Sequence, residues 1–459
     1  MNALDPEKIG RWMSDAGAES FEIHSEERNE RILRYANNAI FQATCREVTS
    51  HNLRAWIDGT MSEVRTRSSD PERVRAAVKR CVDRAKATAK LELPKAPQPT
   101  GAHRDTALIN YCDEGVESLI TDPRAAEMGF KQAFKSASAL GVELAGRTSY
   151  GQKKVCVSNS LGMYREYAVT ESEARVISVD QHDDHISGHS AAVGRMHDSV
   201  DIPQLAEVAI EKAVRARQRT EIPAGSYDVI LEPSAVAEIL MWMGSIAFTS
   251  KAVKDRSSFL RDRMGEQVAS ETLTISDDGR GQLELGVPQP FDTEGTTKEK
   301  VMILDQGVAA GVVWDRQSAR EAGCHSTGHA SDGGLEFSSG PSTNHLCIEV
   351  GDHSIQQLLD RVDKGLWVTR FHYVNGLLDP PRAVMTGLTR DGTFLINEGQ
   401  LGPDVGMLRF TDSLVEAFQR IEGISNMREA VRMNFSNDGT YLCPTILIRN
   451  LKFTGTAKG

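Results

Sequence analysis

The run Ile239-Leu-Met-Trp-Met-Gly-Ser-Ile-Ala-Phe248 carries no charge, and coiled as a helix it is apolar on nearly all of its faces. Such a helix persists in water only when other elements enclose it. The uncharged stretch reaches only to Ser250, well short of the roughly 20 residues that cross a bilayer, so it belongs in a protein core. Its methionines and tryptophan can also line a pocket for a peptide side chain, since thioethers adapt their shape, but core burial is the favoured reading. The chain has ample length to enclose the helix: 459 residues set an expectation of two or three domains. Hydrophobic residues at 40% and charged residues at 25% are those of an ordinary globular chain. Acidic side chains outnumber basic ones by 64 to 53, and that balance repels a phosphate backbone or an anionic membrane unless a local basic patch overcomes it. Neither nucleic acid nor membrane is an expected partner.

Seven cysteines, at 45, 81, 112, 156, 324, 347 and 443, form no C-x-x-C pair, a pattern that suits a reducing compartment. The opening MNALDPEKIG has neither the basic flank nor the apolar run of an export signal, so the cytoplasm is the expected location.

Asp5-Pro6 and Gly17 bracket a short first helix. From Glu19 to Arg67 partial alternation predicts a small antiparallel sheet, broken near Asn37-Asn38 and Asp58-Gly59. Asp70-Pro71 opens a helix whose Val74, Val78, Cys81, Ala85 and Ala89 share one face, which is expected to lie on that sheet. The proline-rich stretch from Leu93 to Gly101 reads as a linker or surface loop. A helix from Asp122-Pro123 to about Leu140, strands over 142–195 and a helix from Asp201 to Gln218 follow. Beyond a break and a strand at 222–234 come one helix, about Pro233 to Phe248, and then short strands. The expectation is an α+β architecture in two domains: 1–221 with small sheets and helices, and 222–459 mainly β with a buried helix.

Two clusters could carry chemistry. His182, His185 and His189, with Asp183 and Asp184 between them, are residue types that ligate divalent ions. On a strand 182 and 185 point to opposite faces, and the flanking sequence favours strand and turn, so a solvated turn competes with a metal site. Cys324-His325-Ser-Thr-Gly-His329 can supply a ligand pair, a thiolate or hydrogen bonds to a ligand, or be a structured loop with His329 satisfied by backbone carbonyls. H-E-x-x-H, G-x-S-x-G, G-x-x-x-x-G-K-[ST] and G-x-G-x-x-G are all absent.

Arg256-Ser-Ser-Phe-Leu260 with Gly265-Glu-Gln-Val268, Ser326-Thr-Gly-His-Ala330, Pro341-Ser-Thr-Asn344 leading into Glu349-Val-Gly-Asp-His-Ser354, and GLWVTRFHYVNGLLDPPRAVMTGLTRDGTFLINEGQL at 365–401 resemble the TldD/PmbA family, also called modulators of DNA gyrase. The resemblance covers most of 220–459, and the first half fits more loosely. TldD-like members carry an H-E-x-x-x-H helix that binds zinc, with the glutamate suited to activate water for peptide hydrolysis. At the corresponding place this chain has Leu240-Met-Trp-Met-Gly-Ser245: Leu240 and Ser245 stand at the histidine positions, Met241 at the glutamate, and only Gly244 agrees. Aliphatic carbon does not ligate zinc and a thioether does not take a proton, so the chain resembles the PmbA (TldE) branch, which lacks the zinc motif.

The resemblance implies a subunit of a cytoplasmic proteolytic complex that trims unfolded or ribosomally made peptides, leader peptides included. No cofactor is expected on this chain, and zinc is expected in a TldD-like homologous partner. An extended peptide between the subunits suits β-augmentation. Candidate peptide-contacting residues are Arg256, Ser257, Ser326, Thr327, Gly328 and His329. Two alternatives stand beside this: a stand-alone homodimer that holds a peptide without cutting it, which is also the expected state in isolation, and a metal hydrolase using His182, His185 and His189.

Overall fold

A computed structural model describes residues 4–91, 95–101, 107–332, 340–433 and 439–456. In the first half, helix α1 (Pro6–Asp15) leads into strands β1 (Ser20–Ala36), β2 (Ala39–Ile57) and β3 (Thr60–Thr66) and helix α2 (Pro71–Thr88). Strand β4 (Ile109–Tyr111) and helices α3 (Glu114–Thr121) and α4 (Glu127–Ala139) follow. Strands β5 (Val142–Asn159), β6 (Tyr164–Asp180) and β7 (Ser187–Gly194) and helix α5 (Ile202–Ala216) complete it.

Local chemistry sets these boundaries. Asp5, Asp70 and Asp201 each accept a backbone N–H in the first turn of α1, α2 and α5, and a proline sits in each of those turns. Asn37 and Asn38 (φ 51° and 55°) turn β1 into β2, and Asp58 and Gly59 (50° and 75°) turn β2 into β3. Two consecutive left-handed residues are what a two-residue hairpin needs to match the twist of its strands.

The two strand regions expected as separate small sheets are joined. β1 is 17 residues long and pairs antiparallel with β2 on one edge and β5 on the other, giving one seven-stranded sheet, β3-β2-β1-β5-β6-β4 with β7 on β6. Helix α3, capped by Asp113, lies ahead of Asp122, where the pattern placed the start of a helix. The proline-rich segment is docked over 95–101: Trp56 Nε1 donates to Pro97 O at 3.0 Å and Asn159 Nδ2 to Thr100 O at 2.9 Å. Leu93 and Pro94 lie outside the described residues.

One face of this sheet is apolar. Ile23, Leu53 and Ala55 pack against Ile9, Met13, Val74, Val78 and Cys81 of α1 and α2, and Leu33, Tyr35 and Val176 against α4 and α5. The other face carries Glu22, Arg28, Glu30, Arg54, Glu171 and Glu173 and meets the second half of the chain.

That second half begins with β8 (Gly225–Leu231), α6 (Pro233–Ala247) and α7 (Ser250–Lys254). Then come β9 (Ile275–Asp277), β10 (Val301–Asp305), β11 (Val308–Ala309), α8 (Arg316–Ala322), β12 (Ala330–Ser331), β13 (Gly340–Pro341), β14 (Leu346–Ile348) and α9 (Ile355–Asp360). It ends with β15 (Lys364–Asp379), β16 (Val384–Asn397), β17 (Gln400–Asp404), β18 (Leu408–Ser413), α10 (Leu414–Gln419), β19 (Ile421–Val431) and β20 (Tyr441–Thr456). The expected cut after 221 falls between α5 and β8. Eleven strands share one sheet, and because β20 pairs with both β18 and β8, the set β8-β15-β16-β18-β20 closes on itself. Helix α6 packs on β15, β19 and β20 in the largest apolar cluster of the chain. Each large side chain it buries is worth roughly 1.5–3 kcal/mol, so the uncharged run anchors this half.

Candidate functional site

Helix α6 is the element that a metallopeptidase of this resemblance would build its centre on. Leu240 and Met243 have no exposed surface, while Met241, Trp242 and Ser245 are half-buried on the remaining face. Gly244 is required by packing, since a Cβ there would stand 2.2 Å from Thr343 Oγ1 and 3.1 Å from Leu346 Cδ1. The last carbonyls of α6 are capped from the loop after α7: Ser257 Oγ donates to Ile246 O at 2.9 Å and Ser258 Oγ to Ala247 O at 2.6 Å. Zinc requires imidazole, thiolate or carboxylate donors. The helix offers carbon, thioether and one hydroxyl at the three motif positions, and among the described residues no three His, Cys, Asp or Glu side chains converge beside it. The residues present do not fit a zinc ion.

The three histidines considered as an alternative ligand set are not brought together. His182 and His185 lie exposed in the turn between β6 and β7, where only Asp183, Asp184 and His185 bring ligand atoms within 4.8 Å of one another. His189 is buried on β7 opposite Ile177, and burial, then Arg370, lowers its pKa to about 3.

The Ser326–His329 segment belongs to a buried ion cluster. His329 Nε2 lies 2.9 Å from Asp277 Oδ1, the His345 backbone N–H donates to Asp277 Oδ2 at 3.0 Å, and Lys298 Nζ stands 3.8 Å from Oδ1. None of the four side chains is more than 1% exposed. Burial alone would raise the Asp277 pKa, but Lys298 and then His329 hold it well below the usual carboxylate range. Burial, then Lys298, lowers His345 to about 3 and keeps His329 below its ordinary value. On its other side His329 Nδ1 lies 2.9 Å from the Thr327 carbonyl, while Thr327 Oγ1 donates to Trp314 O at 3.1 Å. Gly328 is left-handed (φ 74°), and a Cβ there would meet Thr297 O at 2.3 Å. Sealed from solvent, this cluster ties β9 to the segments that lead into β10, β12 and β14. Of the six residues expected to touch peptide, Ser257, Thr327 and His329 thus spend their polar atoms on the protein itself. Arg256 is exposed with left-handed backbone (φ 61°), and Ser326 Oγ donates to Trp314 O at 3.2 Å. Cys324 is exposed, and His325 Nε2 lies 3.5 Å from Glu299.

A second cluster, on the polar face of the first sheet, escaped sequence reasoning because its members lie hundreds of residues apart. Glu22 Oε2 accepts from Arg316 Nη2 at 2.9 Å and Glu22 Oε1 from Arg54 Nη1 at 3.0 Å. Arg54 Nη2 reaches Asp332 Oδ1 at 2.9 Å, and His24 Nδ1 lies 2.8 Å from Asp332 Oδ2. Tyr167 and Phe291 pack edge to face across the same junction, centroids 5.0 Å apart. Its only trace in the sequence is charge at alternate positions of β1.

The pattern of the PmbA/TldA metallopeptidase C-terminal domain matches residues 224–455, just over half of the chain. "Metalloprotease PmbA" of Escherichia coli O157:H7 is 24% identical over 310 residues, 67% of this chain and 63% of that one. A "Metalloprotease" of Methanothermobacter thermautotrophicus is 23% identical over 230 residues, 49% of this chain and 48% of its own. The chain thus spans about half the length of one curated relative and under two thirds of the other. The crystal structure of TldE from Thermococcus kodakarensis superposes with a TM-score of 0.81 at 21% identity, over 98% of this chain and 100% of that one, and so shares the α+β fold. The domain match, covering α6 and all of the closed strand set, makes this chain a member of the TldD/PmbA family.

Proposed function

We propose that the chain is a subunit without a metal centre of its own in a TldD-type zinc metallopeptidase complex that degrades or trims unfolded or ribosomally made peptides. A homologous TldD-like partner supplies the zinc and the water-activating glutamate. The observation that carries this is α6: where that chemistry needs imidazoles and an acid, Leu240 is sealed in apolar core and Met241 and Ser245 offer no competent donor set. A chain that keeps the family's helix and its packing glycine, yet has no ligand at the three motif positions, is suited to completing a partner's substrate channel. The test mixes the purified chain with a TldD-like protein and an unstructured peptide. Cleavage by the mixture well above that by the partner alone, with co-elution of the two chains, is expected; equal cleavage by the partner alone contradicts the reading.

A further inference from the structure

Three arginines stand side by side across the polar face of the seven-stranded sheet. Arg34 on β1 is the direct cross-strand partner of Arg147 on β5, and Arg147 of Arg175 on β6. Direct antiparallel partners share a face with Cβ atoms roughly 5 Å apart, and like charges so placed repel. Carboxylates are scarce for them. Glu30 is shared by Arg147 and Arg46, Glu173 by Arg175 and Arg432, and Arg34 has only Gln42 Oε1, at 3.5 Å, among the described residues. The second half of the chain continues the pattern, with Asp391 on β16 shared by Arg370 and Arg390. Ser187 Oγ of β7 donates to Asp391 Oδ1 at 2.7 Å, so both sets of arginines line one junction. Burial, against the opposing field of Glu173 and helped by those of Arg432, Arg147 and Arg370, lowers the proton affinity of Arg175. The row opens to solvent at one end: Arg34 is exposed and the Arg147 side chain is 40% exposed, whereas that of Arg175 is only 24% exposed; on the second half the Arg390 side chain is 46% exposed.

The geometry points to a carboxylate-binding groove that seats an acidic segment of an extended peptide, whose Asp or Glu side chains or C-terminal carboxylate supply the anion that Arg34 lacks and a further partner for the arginines that share one carboxylate between two. The assignment gives a substrate class to the peptide role proposed above and rests on it. A guanidinium fork takes a carboxylate through two parallel N–H···O bonds, and strands about 4.8 Å apart set neighbouring forks within reach of one carboxylate. The net charge of −11 repels a long polyanion, whereas a short acidic segment meets the local field alone. β15, which carries Arg370, also packs Gly376 against Trp242 of α6, so one strand runs from these arginines to the helix on which the family's chemistry is built.

Fluorescence anisotropy of the full chain tests this with a labelled Glu-Gly-Ser repeat peptide, its Gln-Gly-Ser counterpart, amidated forms of both, and an oligodeoxythymidylate. The Glu peptide is expected to bind about tenfold more tightly than the Gln peptide at low salt. The double variant R34Q/R390Q, which alters two solvent-facing side chains and keeps the wild-type melting curve, loses most of that preference. Weakening on amidation assigns the C-terminal carboxylate and no change assigns the side chains, either supporting the groove. Equal binding of Glu and Gln peptides, an unaffected R34Q/R390Q variant, or tighter binding of the oligonucleotide overturns the inference. The same two peptides are compared in cleavage by the mixture with the TldD-like partner. Cleavage without preference leaves the subunit role standing and removes this inference alone, whereas no binding and no cleavage removes both.

Discussion

Lys298, Asp277, His329 and His345 show how a side chain can look functional in sequence and prove structural in space. Only His329 stood out in the sequence, and its expected alternative, a ring satisfied by a backbone carbonyl, accounts for Nδ1 against Thr327 O. Nothing in the spacing announces Asp277 at Nε2, 52 residues away. A lysine and a carboxylate buried together depend on each other, because removal of one leaves an uncompensated charge at a cost of about 3–5 kcal/mol. Lys298→Met is therefore expected to lower unfolding free energy in urea by about that much, and the double change Lys298→Met with Asp277→Asn to recover part of it; additive losses contradict the pairing. Leu240 makes a second prediction. Leu240→His, which moves α6 toward the zinc motif, places an imidazole among Leu, Ile and Phe side chains and is expected to cost at least about 2 kcal/mol without conferring zinc binding, as read by melting and metal content.

At the scale of elements the sequence was most legible where backbone chemistry is strict. Asn37-Asn38 and Asp58-Gly59 marked both turns of the first hairpins because few residues accept paired left-handed backbone. Asp-Pro starts marked α1 and α2, and the uncharged run marked α6. What could not be read was which strands share an edge: β1 and β5 pair over residues separated by more than a hundred positions, and alternation is identical whether a strand has one partner or two. The polar face of that sheet was equally opaque, since its charges look solvated until the second half of the chain is set against them. Asn38 links turn to sheet, its Nδ2 donating to Val142 O at 3.0 Å and its Oδ1 accepting from Leu144 N at 2.7 Å. Asn38→Ala is expected to cost about 1–2 kcal/mol and to speed amide exchange along the β1–β2 hairpin more than in α6; uniform exchange changes count against this local role. In α6, Gly244→Ala is expected to destabilise by about 1–3 kcal/mol through the Thr343 clash and Thr343→Ala to relieve it, which a melting comparison of single and double variants checks.

For the whole molecule, the two halves are held by an apolar cluster of Val155, Val157, Tyr167 and Val169 with Val287 and Phe291, and by buried charge, and the charge sets the response to pH. His189 and His345 titrate near 3 when folded, against roughly 6.5 when unfolded, so below that higher value the unfolded chain binds protons that the folded chain refuses. Stability from these groups is complete above about pH 6.5 and is lost as pH falls toward 3. His24 works the other way. Burial lowers its pKa, but Asp332 more than offsets this and raises it, so its contribution is full below roughly pH 6.5 and fades as pH rises through the folded value. In urea titrations across this range, His24→Gln is expected to lose most stability relative to wild type at mildly acidic pH and least at alkaline pH; a pH-independent difference rules out the ion pair. The proposal that most depends on the whole assembly is that this member of the TldD/PmbA family acts through a partner's metal. Its most direct measurement is elemental analysis of the chain purified without chelator, alongside peptide hydrolysis by that same preparation. The account predicts no stoichiometric zinc and no hydrolysis until a TldD-like subunit is added. One zinc per chain with hydrolysis by this chain alone would contradict it.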